Sequence, residues 1–375
     1  MQDAGSIIKS IWSVPKKPLA SGAWLWWFWL FFIHDENTKK AGKCRQIMIL
    51  WSVKNDRQIS CNGLDISVPK SIIPSASGYV LDGAAAAWYF DGKSMRDNFV
   101  LERSKMRLDQ KKLSLVAPGS TPSSFYFGKN GDFITKIKAK GTEFELIAKQ
   151  VDKNDAVGPI HGRMPLFGSM EIEGTRLEIL QLSGTQKTKG APGNATGTKT
   201  SPIRGTAYFQ KILLAAPPPQ WYWGLYHFKD GSYLTYMNVY AGRAMLADNA
   251  YGKPELKKPT LGFKEDIFFY HAPSGKLFEG NRLRVIPSKS KTADCWVHGF
   301  SGLGKDFEIS GVAEGYAHSS WSFVKNIGAI PIKSRFVYNE YPSVVKNVVL
   351  TQKGGKKLKY GLGWGSMENS WGFIV

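Results

Sequence analysis

Cysteine is scarce in this chain. Its 375 residues include three, Cys44, Cys61 and Cys295, odd in number and far apart. That spacing excludes a disulfide framework and a structural zinc site, and it fits a reducing cytoplasm. Acidic side chains are also short: 30 Asp and Glu stand against 50 Lys and Arg, a formal net charge of +20. The six histidines are scattered, with no close pair to start a metal site. A glycine-rich phosphate loop, a Rossmann fingerprint, a metalloprotease helix motif and a Gly-x-Ser-x-Gly elbow are all missing. No metal or cofactor is therefore expected. Helix-turn-helix, zinc-finger and RNA-binding signatures are missing too, so no specific nucleic-acid binding is expected. The spread of lysines reads as a soluble basic surface, with weak peripheral attraction to anionic lipid head groups. Long apolar runs are lacking. The most conspicuous, Trp24 to Ile33, has ten residues, about half of what a bilayer-crossing helix needs. No small-residue cleavage site follows it, so it is not read as a signal peptide. The expected location is cytoplasmic, at most peripheral to a membrane.

What is present is aromatic. Trp24 to Ile33 holds four Trp and three Phe, residues that favour strands. The run reads as a β-strand buried on both faces. Trp24, Trp26, Phe28, Leu30 and Phe32 face one way, and Leu25, Trp27, Trp29, Phe31 and Ile33 the other. A similar phrase returns at Trp221-Tyr222-Trp223-Gly224-Leu225-Tyr226. Each copy leads through a polar turn into a second apolar strand, Gln46 to Trp51 and Tyr233 to Tyr240. Two copies at long period indicate two related β-domains.

The rest of the chain repeats one rhythm. Short apolar stretches alternate with Asn62-Gly63, Asp82-Gly83, Asp91-Gly92, Asn130-Gly131 and Lys140-Gly141, which are tight-turn signals. Many short strands so punctuated indicate an all-β barrel or sandwich. Residues 184–205, rich in Gly, Thr, Lys and Pro, read as a flexible loop. Pro217-Pro218-Pro219 is a stiff spacer just before the second aromatic phrase. The division follows: an N-terminal arm over 1–13, a first domain over 14–214 and a second over 215–375.

Aromatic residues beside isolated polar groups mark the candidate chemistry. Such places are Trp88-Tyr89 between Asp82 and Asp91, Tyr226-His227, and Phe336 to Tyr341. Protonating an alkene requires an acid kept neutral by burial and aromatic faces that attract the resulting cation. Asp82, Asp91 and Glu340 are the candidate acids, with Tyr226, His227 and Tyr338 as polar partners. Trp27, Trp29, Trp88, Trp221, Trp223 and Tyr236 are the candidate walls of an apolar β-barrel cavity. The alternatives are a non-catalytic structural or interaction protein with filled barrels, or a basic lipid carrier at a membrane surface.

The paired aromatic strands, the prolines ahead of the second and the all-β content resemble the hydroxyneurosporene synthase family. These are carotenoid hydratases, with AttH-like relatives. Family members commonly carry an acidic residue just before the Trp-Trp pair; Leu25 and Gln220 stand there in this chain. The resemblance implies two lipocalin-like (calycin) antiparallel β-barrels in tandem. It also implies an apolar ligand at or between the barrels, here an isoprenoid, polyene or fatty chain. The family includes hydratases, pericyclic or cyclising enzymes and members with no known activity, so the expectation is apolar-ligand binding with or without cofactor-independent hydration or cyclisation.

Overall fold

The computed structural model describes residues 4–15, 19–34, 42–68, 72–150, 160–165, 171–189, 197–215, 219–241, 261–291, 295–326 and 333–374. One short helix, α1 (Ala4–Ser10), precedes the strands. The first half of the chain contains β1 (Trp24–Ile33), β2 (Arg45–Lys54), β3 (Ile59–Cys61), β4 (Leu64–Asp65), β5 (Ile72–Ser75), β6 (Gly78–Phe90) and β7 (Met95–Asp109). It continues with β8 (Ser114–Ala117), β9 (Ser123–Phe127), β10 (Phe133–Ala139), β11 (Thr142–Gln150), β12 (Ile160–Pro165), β13 (Glu171–Thr188) and β14 (Lys199–Leu214). The second half contains β15 (Gln220–His227), β16 (Tyr233–Ala241), β17 (Leu261–His271), β18 (Lys276–Lys289) and β19 (Trp296–Gly304). After these come β20 (Phe307–Gly315), β21 (Ser319–Asn326), β22 (Lys333–Gln352), β23 (Lys357–Tyr360) and β24 (Gly363–Ile374).

Two antiparallel sheets result, and each closes on itself. The first runs β11-β10-β9-β8-β7-β6-β2-β1-β14-β13-β12 and is closed by β11 pairing with β13. The second runs β20-β19-β18-β17-β16-β15-β24-β22-β21-β3-β4 and is closed by β20 pairing with β22. These are two lipocalin-like barrels in tandem, as the sequence resemblance implied. The aromatic strands occupy the same place in both. β1 lies between the next strand, β2, and the last, β14; β15 lies between β16 and the last, β24. The hairpin β3–β4 breaks this division. It comes from the first half of the chain but pairs with β21 of the second sheet.

The alternation expected for β1 holds. Leu25, Trp27, Trp29, Phe31 and Ile33 enter the core of the first barrel, while Trp24, Phe28, Leu30 and Phe32 enter the cluster between the barrels. Inside the first barrel Trp27 is paired in register with Trp51, and Trp51 with Ala85. The small alanine leaves the indoles room.

Two expectations need correction. The N-terminal arm is part of the first barrel. Ile11, Trp12 and Val14 are buried in its core, and Trp12 stacks on Phe125 at 4.3 Å between ring centroids. The Trp27 Nε1–H donates to the Ile11 carbonyl at 2.7 Å, and Lys211 Nζ donates to the carbonyls of Ser10 and Ser13 at 2.6 and 2.7 Å. Nor is 184–205 a loop over its described part. Gly184 to Thr188 pairs in register with Lys199 to Ile203, and the same stretch of β13 pairs with β11 to close the barrel. Its threonines suit a strand, and ladder hydrogen bonds substitute for the missing apolar content. Residues 190–196 lie outside the described residues.

Candidate active site between the barrels

The barrels meet through the outward faces of β1, β2 and β6 on one side and of β15, β21, β22 and β24 on the other. In β22, Phe336, Tyr338 and Glu340 share a face; in β24, Ser366, Glu368 and Ser370 do. The register places Glu340 directly opposite Glu368. Both are buried, at 1% and 5% exposure. Two carboxyl groups thus face each other in an apolar interface.

Three donors serve them. The Trp88 Nε1–H reaches across from the first barrel to Glu340 Oε2 at 2.8 Å. The Trp221 Nε1–H donates to Glu368 Oε2 at 2.7 Å. The Tyr338 hydroxyl lies 2.7 Å from Glu368 Oε1 and 3.3 Å from Glu340 Oε2. With one proton to give, it serves Glu368. Glu340 Oε1 has no hydrogen-bond partner among the described residues.

Burial, and then the neighbouring Glu368, pushes the Glu340 carboxyl well above the ordinary range. Burial also raises Glu368, to about 7, against the pull of its bonds from Tyr338 and Trp221. At neutral pH Glu340 is therefore a neutral acid, and Glu368 passes between acid and carboxylate.

Glu368 and Tyr338 open onto a cleft. Its other walls are Trp24, Trp26, Phe28, Leu50, Leu214, Trp221, Trp321, Phe323 and Phe336, with Gln210 as one further polar group. Its volume is about 60 Å³, well under the 300–1,000 Å³ of a drug-sized pocket. It has room for the end of a chain or for water. Glu340 lies behind it and does not line it.

The other sequence candidates disperse. Trp223 packs in the inter-barrel cluster. His227 is also buried between the barrels, but at the far end. Its ring nitrogens bond Thr206 Oγ1 at 2.7 Å and the Glu178 carbonyl at 2.8 Å, and burial drives its pKa down to about 3. Trp27 and Trp29 do not border the inter-barrel cleft. They point into the first barrel, where Trp29 packs on Phe31 at 5.2 Å and Phe209 at 4.8 Å. Tyr226 and Tyr236 point into the second barrel. The Tyr226 hydroxyl meets Ser343 at 3.2 Å, and the Tyr236 hydroxyl bonds His298 Nδ1 at 2.9 Å. Burial lowers His298 to about 4, and Asn369 Oδ1 accepts from its Nε2–H at 2.5 Å.

Asp82 and Asp91 do not join the cleft. Asp82 forks with Arg103 through both oxygens at 3.2 Å. It shares a strand face with Trp88, but six residues away along the strand. Asp91 sits in the turn after β6, accepts the backbone N–H groups of Lys93 and Ser94, and pairs with Arg96 at 3.1 Å. Against a penalty from burial, those bonds hold its carboxyl below the ordinary value. Each aspartate is thus engaged by an arginine away from the cleft.

Sequence reasoning missed Glu368. Strand alternation is weak across Gly363-Trp-Gly-Ser-Met-Glu-Asn-Ser, so the segment did not read as a core strand. One signal was available: Glu368 is the sole charged residue among the last fifteen. Among the described residues no group of three His, Cys, Asp or Glu side chains is placed to hold a metal ion, and no helix is long and apolar enough to cross a membrane.

No protein-family model matches the sequence, and no curated protein matches it in sequence. Solved structures match in fold. A Nitrosomonas europaea protein assigned to AttH aligns over 95% of this chain and 98% of its own, at 13% identity and a TM-score of 0.52. Kievitone hydratase from Nectria haematococca aligns over 93% of this chain and 88% of its own, at 11% identity and a TM-score of 0.45. The first likeness establishes that the two-barrel fold is shared.

Proposed function

We propose that the inter-barrel cleft is the active site of a cofactor-independent hydratase acting on an alkene of an apolar molecule, such as an isoprenoid or polyene. One observation carries this reading: the carboxyl of Glu368, raised to about 7, lines an aromatic cleft beside a second, neutral carboxyl. A general acid works best when its pKa is near the working pH. Glu368 gives its proton to one alkene carbon and becomes a carboxylate. The cation left on the other carbon faces the rings of Trp26, Trp221 and Phe336, whose quadrupoles favour positive charge. Water adds to that cation and returns a proton to Glu368. The sum is alkene plus water to alcohol, with the enzyme unchanged. Trp221 and Tyr338 hold the Glu368 carboxyl in place throughout. The neutral Glu340 opposite adds no second negative charge.

The test uses isoprenoid and polyene alkenes incubated with the protein in ¹⁸O-labelled water. An alcohol carrying the label, lost in Glu368→Gln, is the expected result. Labelled product persisting undiminished in Glu368→Gln overturns the mechanism. Quenching of tryptophan fluorescence by these lipids without any product supports the second reading, in which the same aromatic walls bind an apolar chain and no turnover occurs.

A further inference from the structure

The formal charge of +20 has no part in the cleft chemistry, and one end of the two barrels carries a group of exposed lysines. β1 and β15 run side by side in the same direction. Trp24 at the start of β1 meets Phe323, Phe32 near its end meets His227 at the end of β15, and His34 meets Trp364. The ends of β1 and β15 therefore lie on the same side, and antiparallel pairing brings every second described turn of each barrel there. In the first barrel these turns carry Lys93, Lys140 and Lys189; in the second they carry Lys229, Lys305, Lys353 and Lys356. All seven are exposed. Of the acids there, Asp91 pairs with Arg96 at 3.1 Å and Asp230 accepts the Ser232 N–H at 2.9 Å, while Asp306 is exposed beside Lys305. At the opposite end of the first barrel the turns are near balance. Asp56 stands beside Arg57, Asp109 beside Lys111 and Lys112, and Asp132 with Lys129.

We propose that this lysine-bearing end is a docking face for a bilayer surface rich in anionic phospholipid. Two observations favour a bilayer over other polyanions. Arg96 on this side is already held by Asp91, and the seven exposed turn cations are lysines. They are flexible point charges and lack the guanidinium fork that reads phosphates bidentately. A cleft of about 590 Å³ also opens on this face. Phe228, Leu358, Tyr360 and Leu362 give it apolar and aromatic walls, with Lys357 and Lys359 at its margin and Asp230 as its carboxylate. An apolar slot rimmed by ammonium groups matches a lipid with an anionic head and a greasy body. The inference is independent of the proposed reaction, because the Glu368 cleft lies at the opposite end, beside Trp24 and Trp221.

Flotation with vesicles tests it. Phosphatidylcholine vesicles are compared with vesicles that also contain phosphatidylglycerol, at low and raised salt. The protein is expected to float with the anionic vesicles alone and to be released as salt screens the contact. Replacing Lys353, Lys356, Lys357 and Lys359 by Gln should weaken binding by about tenfold or more. Replacing Lys111, Lys112 and Lys129 at the opposite end should leave it unchanged. Unchanged melting of both variants by circular dichroism keeps the comparison valid; if the first fails to fold, Lys229→Gln with Lys305→Gln takes its place. Equal binding to neutral vesicles, equal loss in both variants, or tighter binding to an oligonucleotide than to vesicles overturns the proposal.

Discussion

Glu340 and Glu368 are direct cross-strand partners on neighbouring antiparallel strands, and the Tyr338 hydroxyl reaches both. Two charged carboxylates at such a position would repel. Burial and proximity together keep at least one protonated, and the single hydroxyl proton of Tyr338, 2.7 Å from Glu368 and 3.3 Å from Glu340, favours Glu368 as the one that ionises first.

Stability should therefore fall as pH rises. The Glu368 pKa is about 7 in the folded protein against an ordinary 4.5. The folded state then holds the extra proton between those values. Its stabilising effect is full below about 4.5 and lost as pH passes 7. Glu368→Gln should remove this loss, so urea midpoints at about pH 5 and about pH 8 should lie closer together in the variant than in the parent. An unchanged gap would show that Glu368 does not titrate there.

Trp221→Phe keeps an aromatic wall and deletes the Nε1–H that bonds Glu368 at 2.7 Å. That bond favours the carboxylate, so its loss should raise the Glu368 pKa further. In any turnover assay the limb of the pH profile that reports Glu368 should move to higher pH. A fall in rate at all pH values with no shift would assign Trp221 to packing alone.

Trp12→Ala should destabilise the first barrel by about 3–5 kcal/mol, the usual cost of emptying a buried tryptophan site. Trp12 is 1% exposed and stacked on Phe125. The arm should then become an early site of proteolytic cleavage, read by mass spectrometry of the first fragments. A variant as stable and as resistant as the parent would show the arm to be dispensable.

His227 should oppose the carboxyl pair. Its folded pKa of about 3 lies below the ordinary 6.5, so its contribution is complete above 6.5 and is lost as pH falls toward 3. His227→Asn should cost stability near neutral pH, and the cost should shrink as the solution is acidified. A cost that stays constant from about pH 7 to about pH 4 would count against a buried neutral imidazole.

The fold was legible because β1 advertises itself. Ten apolar residues with alternating partners admit one reading, a strand covered on both sides, and the second copy at Trp221 marked the second barrel. Asn62-Gly63, Asp91-Gly92, Asn130-Gly131 and Lys140-Gly141 do fall between strands, whereas Asp82-Gly83 lies inside β6. Legibility failed where pairing, not composition, decides. Gly184 to Thr188 looks like a loop until β11 and β14 flank it. The site failed in the same way. Glu340 is visible beside Tyr338 in sequence, but its partner Glu368 is brought there by strand register, and nothing local announces it. Asp82 and Asp91 seemed equivalent to Glu340 on neighbours alone. Arg103 and the turn after β6 separate them from it.

The hairpin β3–β4 has a consequence for how the chain is made. Cys61, Ser60 and Ile59 pair with Phe323, Val324 and Lys325, and Lys325 also bonds Asp56 at 2.8 Å. During synthesis this hairpin leaves the ribosome more than two hundred residues ahead of its partner strand. Until β21 is made the hairpin has no strand of the second sheet to pair with. Conversely, the second half expressed by itself would end at β21 with an unpaired edge, a template for association with other chains. The two barrels are thus laced together by a segment borrowed across the boundary, and severing the chain near residue 215 would leave each barrel closed on itself but strip β21 of its partner hairpin.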